Sequence, residues 1–327
     1  MPVLVTGATG FLGGRLTQVL AEGGEAVRIL VRKGSDVRHL AGLKLEVVPG
    51  GLGDSEAVRA AVRGVTHIYH CAGCATDWAP LRIYHDANVA GLENLLAAAG
   101  GQNRLERFLH VSTTDVYGYP QDPCDESAPL KDIGLPYNST KCRGEECVRE
   151  AESRSGLPVT IVRPATIFGP RGKAFTTDVA EHLRRGTMAV IDGGRTRGGF
   201  CYVDNAVAGI LRAAVSTKAV GRAYNLADAT GETWRSYVDA LARGLGCRRA
   251  WIDLPSGAAL HTAGALEAAH RTLRLPGRPL LTRHAVYLLS RDQEYPVERA
   301  RQDFGLSQAV SFEEGIDRTL AWLRIIA

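Results

Sequence analysis

A chain of 327 residues is long enough to bury a large core and excludes a small disulfide-stapled fold. With 45% hydrophobic and 23% charged residues it has the composition of an ordinary soluble globular protein. The formal charge of +4 is spread along the chain without a run of like charges or a basic-aromatic stripe, so nucleic acid is not an expected partner.

The chain opens on a short apolar run, Val3-Leu-Val5, that enters Thr6-Gly7-Ala8-Thr9-Gly10-Phe11-Leu12-Gly13. Apolar residues at helical spacing follow to Leu20, which reads as strand, tight turn, helix. Glycines let the backbone turn and let a ligand approach, while the helix start presents unpaired N–H groups and a positive dipole end. A dinucleotide pyrophosphate fits such a turn; the alternative is a plain glycine connector. An N-terminus that begins on a core strand predicts no signal peptide and a cytoplasmic protein. No uninterrupted apolar stretch reaches the ~18 residues of a membrane span, and the region 258–275 reads as an amphipathic helix.

A second strand is expected at Ala26–Val31, ending in Arg32-Lys33-Gly34-Ser35. In a dinucleotide fold this position meets the adenosine ribose: an acid bonds a free 2′-hydroxyl and arginine neutralises a 2′-phosphate. Arg32, Lys33 and Ser35 therefore predict NADP in preference to NAD; otherwise they are solvated turn residues.

Strands at Leu45–Val48 and Thr66–Cys71, with a helix capped by Asp54 between them, predict right-handed crossovers and a parallel sheet covered on both faces. After the fourth strand, Ala72-Gly73 brings backbone near the cofactor side. The loop from Thr76 through Trp78 to Pro80 lies at the carboxyl edge, where it forms a substrate wall or simply packs. The seven cysteines, Cys71 and Cys74 among them, lack paired metal-ligand spacing and read as buried thiols, so no metal is expected.

A helix carrying Asn88-Val-Ala-Gly91-Leu-Glu-Asn94 precedes a fifth strand from Arg104 to Ser112, which ends in the hydroxyl cluster Ser112-Thr113-Thr114. Tyr137 and Lys141, four apart on the next helix, share one face. A free tyrosine has a pKa of ~10, too high for a base at neutral pH. An ammonium at about 4 Å in an effective dielectric of ~20 interacts at about 4 kcal/mol, at most roughly three pK units. The spacing thus predicts a Tyr137 phenol lowered toward its working pH.

The combination of Thr6-Gly-x-x-Gly-Phe-x-Gly13, Asn88-Val-x-Gly91-x-x-Asn94, Val111-Ser-Thr-Thr-x-Val-Tyr-Gly118, Tyr137-x-x-x-Lys141 and Arg163-Pro164 resembles the extended short-chain dehydrogenase/reductase family. Val159–Gly169 resembles its sixth strand, Phe200–Asn205 its downstream Val-Asp motif and Gly221–Leu226 its last short strand. Asp77-Trp-Ala-Pro80, Val203-Asp204-Asn205, Leu281-Thr-Arg-His284 and Ser311-Phe-Glu-Glu-Gly315 are most similar to its 3β-hydroxysteroid-dehydrogenase-like branch.

The resemblance implies an α/β fold: a doubly wound parallel sheet (Rossmann fold) with a smaller interleaved C-terminal substrate part. Residues 1–169 plus 200–227 would hold NADP, and residues 170–199 plus 228–327 the substrate. It implies Tyr137 as general acid/base, Lys141 on the nicotinamide ribose, Thr113 on the reacting oxygen and Asn88 as support for the active-site strand or its water. Cofactor contacts are implied for Gly7, Thr9, Gly10, Phe11, Leu12, Gly13, Arg32, Lys33, Ser35, Leu52, Ala72, Gly73, Pro164 and Ile167, together with Tyr137 and Lys141. Substrate contacts are expected from Thr76, Trp78, Thr114, Thr166 and Arg197. Helices around 87–99 or 138–150 are candidates for a homodimer contact.

Three departures from the family pattern carry information. Gly51 stands where relatives commonly place an acid that bonds adenine. Thr114-Asp115 replaces the Asp-Glu pair of the dehydratases, which argues against loss of water. Gly198 stands where the epimerases carry an arginine, which argues against a sugar nucleotide. The expected activity is reduction of a ketone, or the reverse, on a medium or bulky organic molecule. The alternatives are an epimerase that oxidises its substrate transiently and a cofactor-binding sensor without turnover.

Overall fold

The structure is a computed structural model that describes residues 2–228 and 231–326. Its first half alternates as the periodicity predicts: β1 (Val3–Thr6), α1 (Phe11–Glu22), β2 (Val27–Val31), β3 (Leu45–Pro49), α2 (Ser55–Val62) and β4 (His67–His70). The β2–β3 connection breaks the strand–helix alternation. It holds only a single 3-10 turn at Arg38–Leu40, because Gly34 and Gly42 both take positive φ and no apolar stripe spans the segment. Asp54 caps α2 as predicted, accepting from the N–H groups of Glu56 and Ala57.

Next come α3 (Leu81–His85), a π-helical turn at Asp86–Ala90, α4 (Gly91–Gly100), β5 (Arg107–Val111) and α5 (Pro136–Ser155). The sixth strand is shorter than the sequence predicts. It divides at Ala165 into β6 (Val159–Pro164), which stays in the main sheet, and β7 (Thr166–Phe168), which leaves it. The remainder comprises α6 (Asp178–Arg185), β8 (Ala189–Ile191), β9 (Phe200–Tyr202), α7 (Val203–Val215), β10 (Arg222–Leu226), α8 (Trp234–Leu245), β11 (Ile252–Leu254), α9 (Ser256–Thr272), α10 (Arg283–Ser290), α11 (Glu298–Phe304) and α12 (Phe312–Ile325).

Seven parallel strands form the main sheet in the order β10-β6-β5-β4-β1-β2-β3. Strand order reverses between β1 and β4, and ligands of such sheets bind outside the strand ends at that switch point. Alternation along the strands feeds two cores. Leu4, Ile68, Phe108 and Ile161 pack under α2, α4 and α5 on one face. Val5, Ile29, Tyr69 and Leu109 pack under α1 and α7 on the other.

A third core of Phe168, Phe200, Tyr202, Trp234, Tyr237 and Phe312 builds the C-terminal part around the pairs β7–β9 and β8–β11. Among the described residues no helix is long and apolar enough to cross a membrane.

Candidate active site

Three glycines shape the turn between β1 and α1, each for a different reason. Gly7 has φ +75°, and a Cβ there would lie 2.7 Å from the backbone nitrogen of Ala72. A Cβ on Gly13 would lie 2.4 Å from the Gly7 carbonyl, so helix and turn close on each other only without side chains. Gly10 is exposed, and a Cβ there would meet only the Gly7 carbonyl, at 3.2 Å. It starts α1, where no side chain caps the N–H groups and no acid occupies the first turn. The cradle fits a dinucleotide pyrophosphate: open backbone, unpaired donors and no negative charge. Thr9, Phe11 and Leu12 line the same turn, half-buried.

The other expected cofactor positions lie along the edge of the sheet. Arg32 and Lys33 are exposed just beyond β2 and, among the described residues, pair with no carboxylate. The Arg32 stem passes over Gly51, where a Cβ would be in ordinary contact with its Cγ at 3.4 Å. The Ser35 N–H donates to the Arg32 carbonyl at 3.1 Å and closes the turn. On the flank of α1, the Arg171 guanidinium and the His39 ring come within 3.3 and 2.9 Å of the place a Gly14 side chain would take. Neither was singled out from sequence, although Gly169-Pro-Arg171-Gly172 sits where a positive-φ turn, with Arg171 at φ 70°, carries it inward.

The Asn88 motif also has a local cause. The π-helical turn directs the Asn88 side chain to the loop after β4: its Oδ1 accepts from Cys74 N at 2.7 Å, and its Nδ2 donates to the Cys74 carbonyl and to Thr140. Leu52 rests against Gly91, where a Cβ would come within 2.7 Å of its own Cβ, and Asn94 donates to the Leu52 carbonyl. A Cβ on Gly73 would meet Asn88 Oδ1 at 2.9 Å. Pro164 ends β6 and Ile167 lies in the middle of β7, beside the same sheet edge.

Tyr137, in the first turn of α5, reaches a cleft lined by Trp78, Ala79, Tyr84, Leu135, Pro136 and His284, with Asp77, Glu267 and Arg271 at its polar side. The Tyr137 hydroxyl bonds the Thr113 side chain, whose Oγ1 also accepts from Asp115 N at 3.2 Å. Lys141 is buried one turn along, and its ammonium donates to the Val111 carbonyl at 2.7 Å. Burial lowers it to about 8, against the opposing pull of Glu145, Cys71 and Asp115.

The lowered phenol that the spacing predicts is not found. Burial pushes the Tyr137 pKa up, the nearby Asp115 carboxylate adds to the rise, and the Thr113 hydrogen bond opposes it. Lys141 spends its charge on the Val111 carbonyl. At neutral pH the phenol therefore keeps its proton and is a donor.

Of the expected substrate residues, the structure brings only Trp78 into the cleft wall. Thr76 exchanges hydrogen bonds with the Trp78 backbone and takes the Tyr84 hydroxyl on its carbonyl, so it shapes the loop. Three other expected contacts are engaged within the fold. Thr114 is buried and bonds the Tyr295 hydroxyl. Thr166 is buried within β7. Arg197 pairs with Glu294 and Asp292, tying its loop to the segment after α10.

Sequence reasoning missed His284. It stacks on the Tyr137 ring at 5.6 Å, and its Nε2 lies 3.2 Å from Asp115 Oδ2.

A model of the NAD dependent epimerase/dehydratase family matches residues 3–227. A farnesyl-dihydroquinoline-oxide ketoreductase of Stigmatella aurantiaca is 32% identical over 97% of this chain and 95% of its own. A 2-alkyl-3-oxoalkanoate reductase of Stenotrophomonas maltophilia is 32% identical over 98% and 99%. Among solved structures, a UDP-glucuronic acid 4-epimerase of Bacillus cereus in complex with NAD superposes with a TM-score of 0.80 at 20% identity, covering 100% of this chain and 99% of that one, a likeness of fold. The glycine cradle, the Tyr137–Lys141 helix and these matches together place the chain: it belongs to the NAD dependent epimerase/dehydratase family and is an extended short-chain dehydrogenase/reductase.

Proposed function

We propose that this protein is an NADP(H)-dependent ketoreductase that converts the ketone of a bulky, largely apolar molecule into a secondary alcohol. The observation that carries this reading is the Tyr137 side chain, beside Thr113, in a cleft walled by Trp78, Tyr84, Leu135 and Pro136. When bound, the reduced nicotinamide supplies hydride to the carbonyl carbon. Thr113 and Tyr137 hydrogen-bond the carbonyl oxygen, and Tyr137 gives its proton as negative charge develops there. Lys141, one turn along the same helix, would hold the nicotinamide ribose. Asn88 fixes the Cys74 backbone against α5 and so sets the cleft's near wall.

Preference for NADP(H) rests on Arg32 and Lys33, two cations at the end of β2 that pair with no carboxylate among the described residues, with no acid in Arg32-Lys33-Gly34-Ser35 to bond a free 2′-hydroxyl. Two relatives that cover the chain end to end are named as a farnesyl-dihydroquinoline-oxide ketoreductase and a 2-alkyl-3-oxoalkanoate reductase. A panel of 2-alkyl-3-oxoalkanoates and aryl ketones, followed at the NADPH absorbance band, tests the reading. Stoichiometric NADPH loss with a branched 3-oxo acid is expected, and the Tyr137→Phe variant is expected to lose at least about a hundredfold in kcat while still binding NADPH. Turnover without net cofactor consumption would make the enzyme an epimerase.

A further inference from the structure

The catalytic face of Tyr137 is not completed by the sheet. It is completed by α10, which belongs to the C-terminal part. His284, in the first turn of that helix, lies nearly parallel to the phenol ring, at 15° and 5.6 Å between centroids. The other edge of its imidazole faces Asp115, with Nε2 3.2 Å from Oδ2. The same Oδ2 accepts the Tyr119 hydroxyl at 2.7 Å, and Tyr119 in turn stacks on Tyr287 of α10.

The start of α10 is fixed on two sides. Thr282 caps it, accepting from Ala285 N while donating to Asp77 at 2.7 Å. Buried Glu267 of α9 takes the Arg283 N–H at 2.7 Å and the Arg283 guanidinium at 2.9 Å. His284 is thereby delivered to Tyr137 on a turn that has little freedom to move.

We propose that His284 is a positioning residue of the reaction centre: its ring holds the Tyr137 phenol toward Thr113, and its Nε2 edge offsets the Asp115 charge that otherwise resists loss of the Tyr137 proton. The inference rests on the reading of Tyr137 as proton donor. A buried carboxylate beside a phenol opposes phenolate, and a polar edge or cation on that carboxylate lessens the opposition. The groups facing Tyr137 are Asp115 and Thr113 after β5, Cys74 and Asp77 in the loop after β4, Tyr84 of α3, Tyr119, Glu267 and Arg271 of α9, and His284; Lys141 follows one turn along the same helix with its ammonium on the Val111 carbonyl. Asp115 is the anion among them that pushes the phenol up most strongly, and His284 is the side chain that touches both.

The test compares His284→Phe, His284→Gln, His284→Ala and Asp115→Asn in the full-length enzyme, reading kcat and KM separately and the alkaline limb of the kcat/KM profile for reduction. His284→Phe keeps a flat ring and removes the polar edge, so the limb should move to higher pH by about half a unit or more. Asp115→Asn removes the charge, so the limb should move to lower pH. His284→Gln keeps a donor and should hold the parent limb, while His284→Ala should lower kcat about tenfold with KM for NADPH unchanged.

Equal limbs in His284→Phe and Asp115→Asn, or parental kcat in His284→Ala, overturn the proposal. Should the alanine variant not fold, the opposed shifts of the phenylalanine and asparagine variants decide. Tyr137→Phe separates the two readings. If it keeps full turnover, the assignment of Tyr137 fails; if it is inactive while the His284 variants match the parent, the role of His284 alone fails.

Discussion

The Arg163 guanidinium holds both oxygens of Glu145, at 2.8 and 2.6 Å, and neither side chain is more than 2% exposed. Arg163 also donates to the Tyr117 hydroxyl at 2.8 Å, and Tyr117 donates to Asn225. One network thus joins β6, α5, the turn after β5 and β10. Removing one partner of a buried pair strands the other charge, so Glu145→Ala and Arg163→Ala should each cost about 3–5 kcal/mol in urea unfolding. A loss below about 1 kcal/mol in both would show that the pair is not structural.

The two glycines of the cradle should separate folding from binding. Gly13→Ala puts a Cβ 2.4 Å from the Gly7 carbonyl and is expected to lower Tm and abolish cofactor binding together. Gly10→Ala faces only a 3.2 Å approach and should keep Tm within a few degrees while weakening cofactor binding, because the new methyl would cover exposed backbone at the start of α1. Fluorescence titration beside thermal unfolding reads both effects.

Arg32 is expected to set the cofactor. A charge-assisted contact to a 2′-phosphate is worth about 1.5–3 kcal/mol, so Arg32→Ala should raise Kd for NADPH at least tenfold and leave NADH nearly unchanged. Equal losses for both cofactors would assign Arg32 to general electrostatics.

Acid should destabilise the fold through two buried histidines. His70 of β4 and His110 of β5 stack at 5.4 Å inside the sheet region, and neither His110 nitrogen has a hydrogen-bond partner among the described residues. Burial, aided by Lys141, lowers His70 to about 3 and His110 well below its ordinary value. An unfolded histidine binds its proton below about pH 6.5, so between there and about pH 3 the unfolded state holds more protons and stability falls as pH falls. His110→Phe should lose less stability than the parent between pH 7 and pH 4, measured by denaturant midpoint; parallel curves would refute this.

The readable parts of this protein are the local ones. Gly7, Gly10 and Gly13 act within one turn, Asp54 caps the helix that follows it, and Tyr137 and Lys141 share a helix face by spacing alone. The unreadable parts depend on segments that meet only in the fold. Arg197 looks like an anion clamp until Asp292 and Glu294 arrive beside it. Thr114 looks like part of a hydroxyl cluster until Tyr295 claims it. The proton affinity of Tyr137 follows from its burial and from Asp115, and the four-residue spacing to Lys141 carries neither.

The loop after β4 is bolted to the C-terminal part: Asp77 binds Arg278 and Thr282, and the Arg271 guanidinium lies over the Trp78 ring at 5.2 Å. The Trp78 loop, α9 and α10 are therefore fastened into one unit, and through His284 that unit also meets the Tyr137 ring. Substitutions that reshape this wall should be tolerated best when α9, α10 and the Trp78 loop change together and His284 is kept. The same fastening sets a limit on such drift, since a change at Asp77 or Arg278 alone unseats its partner.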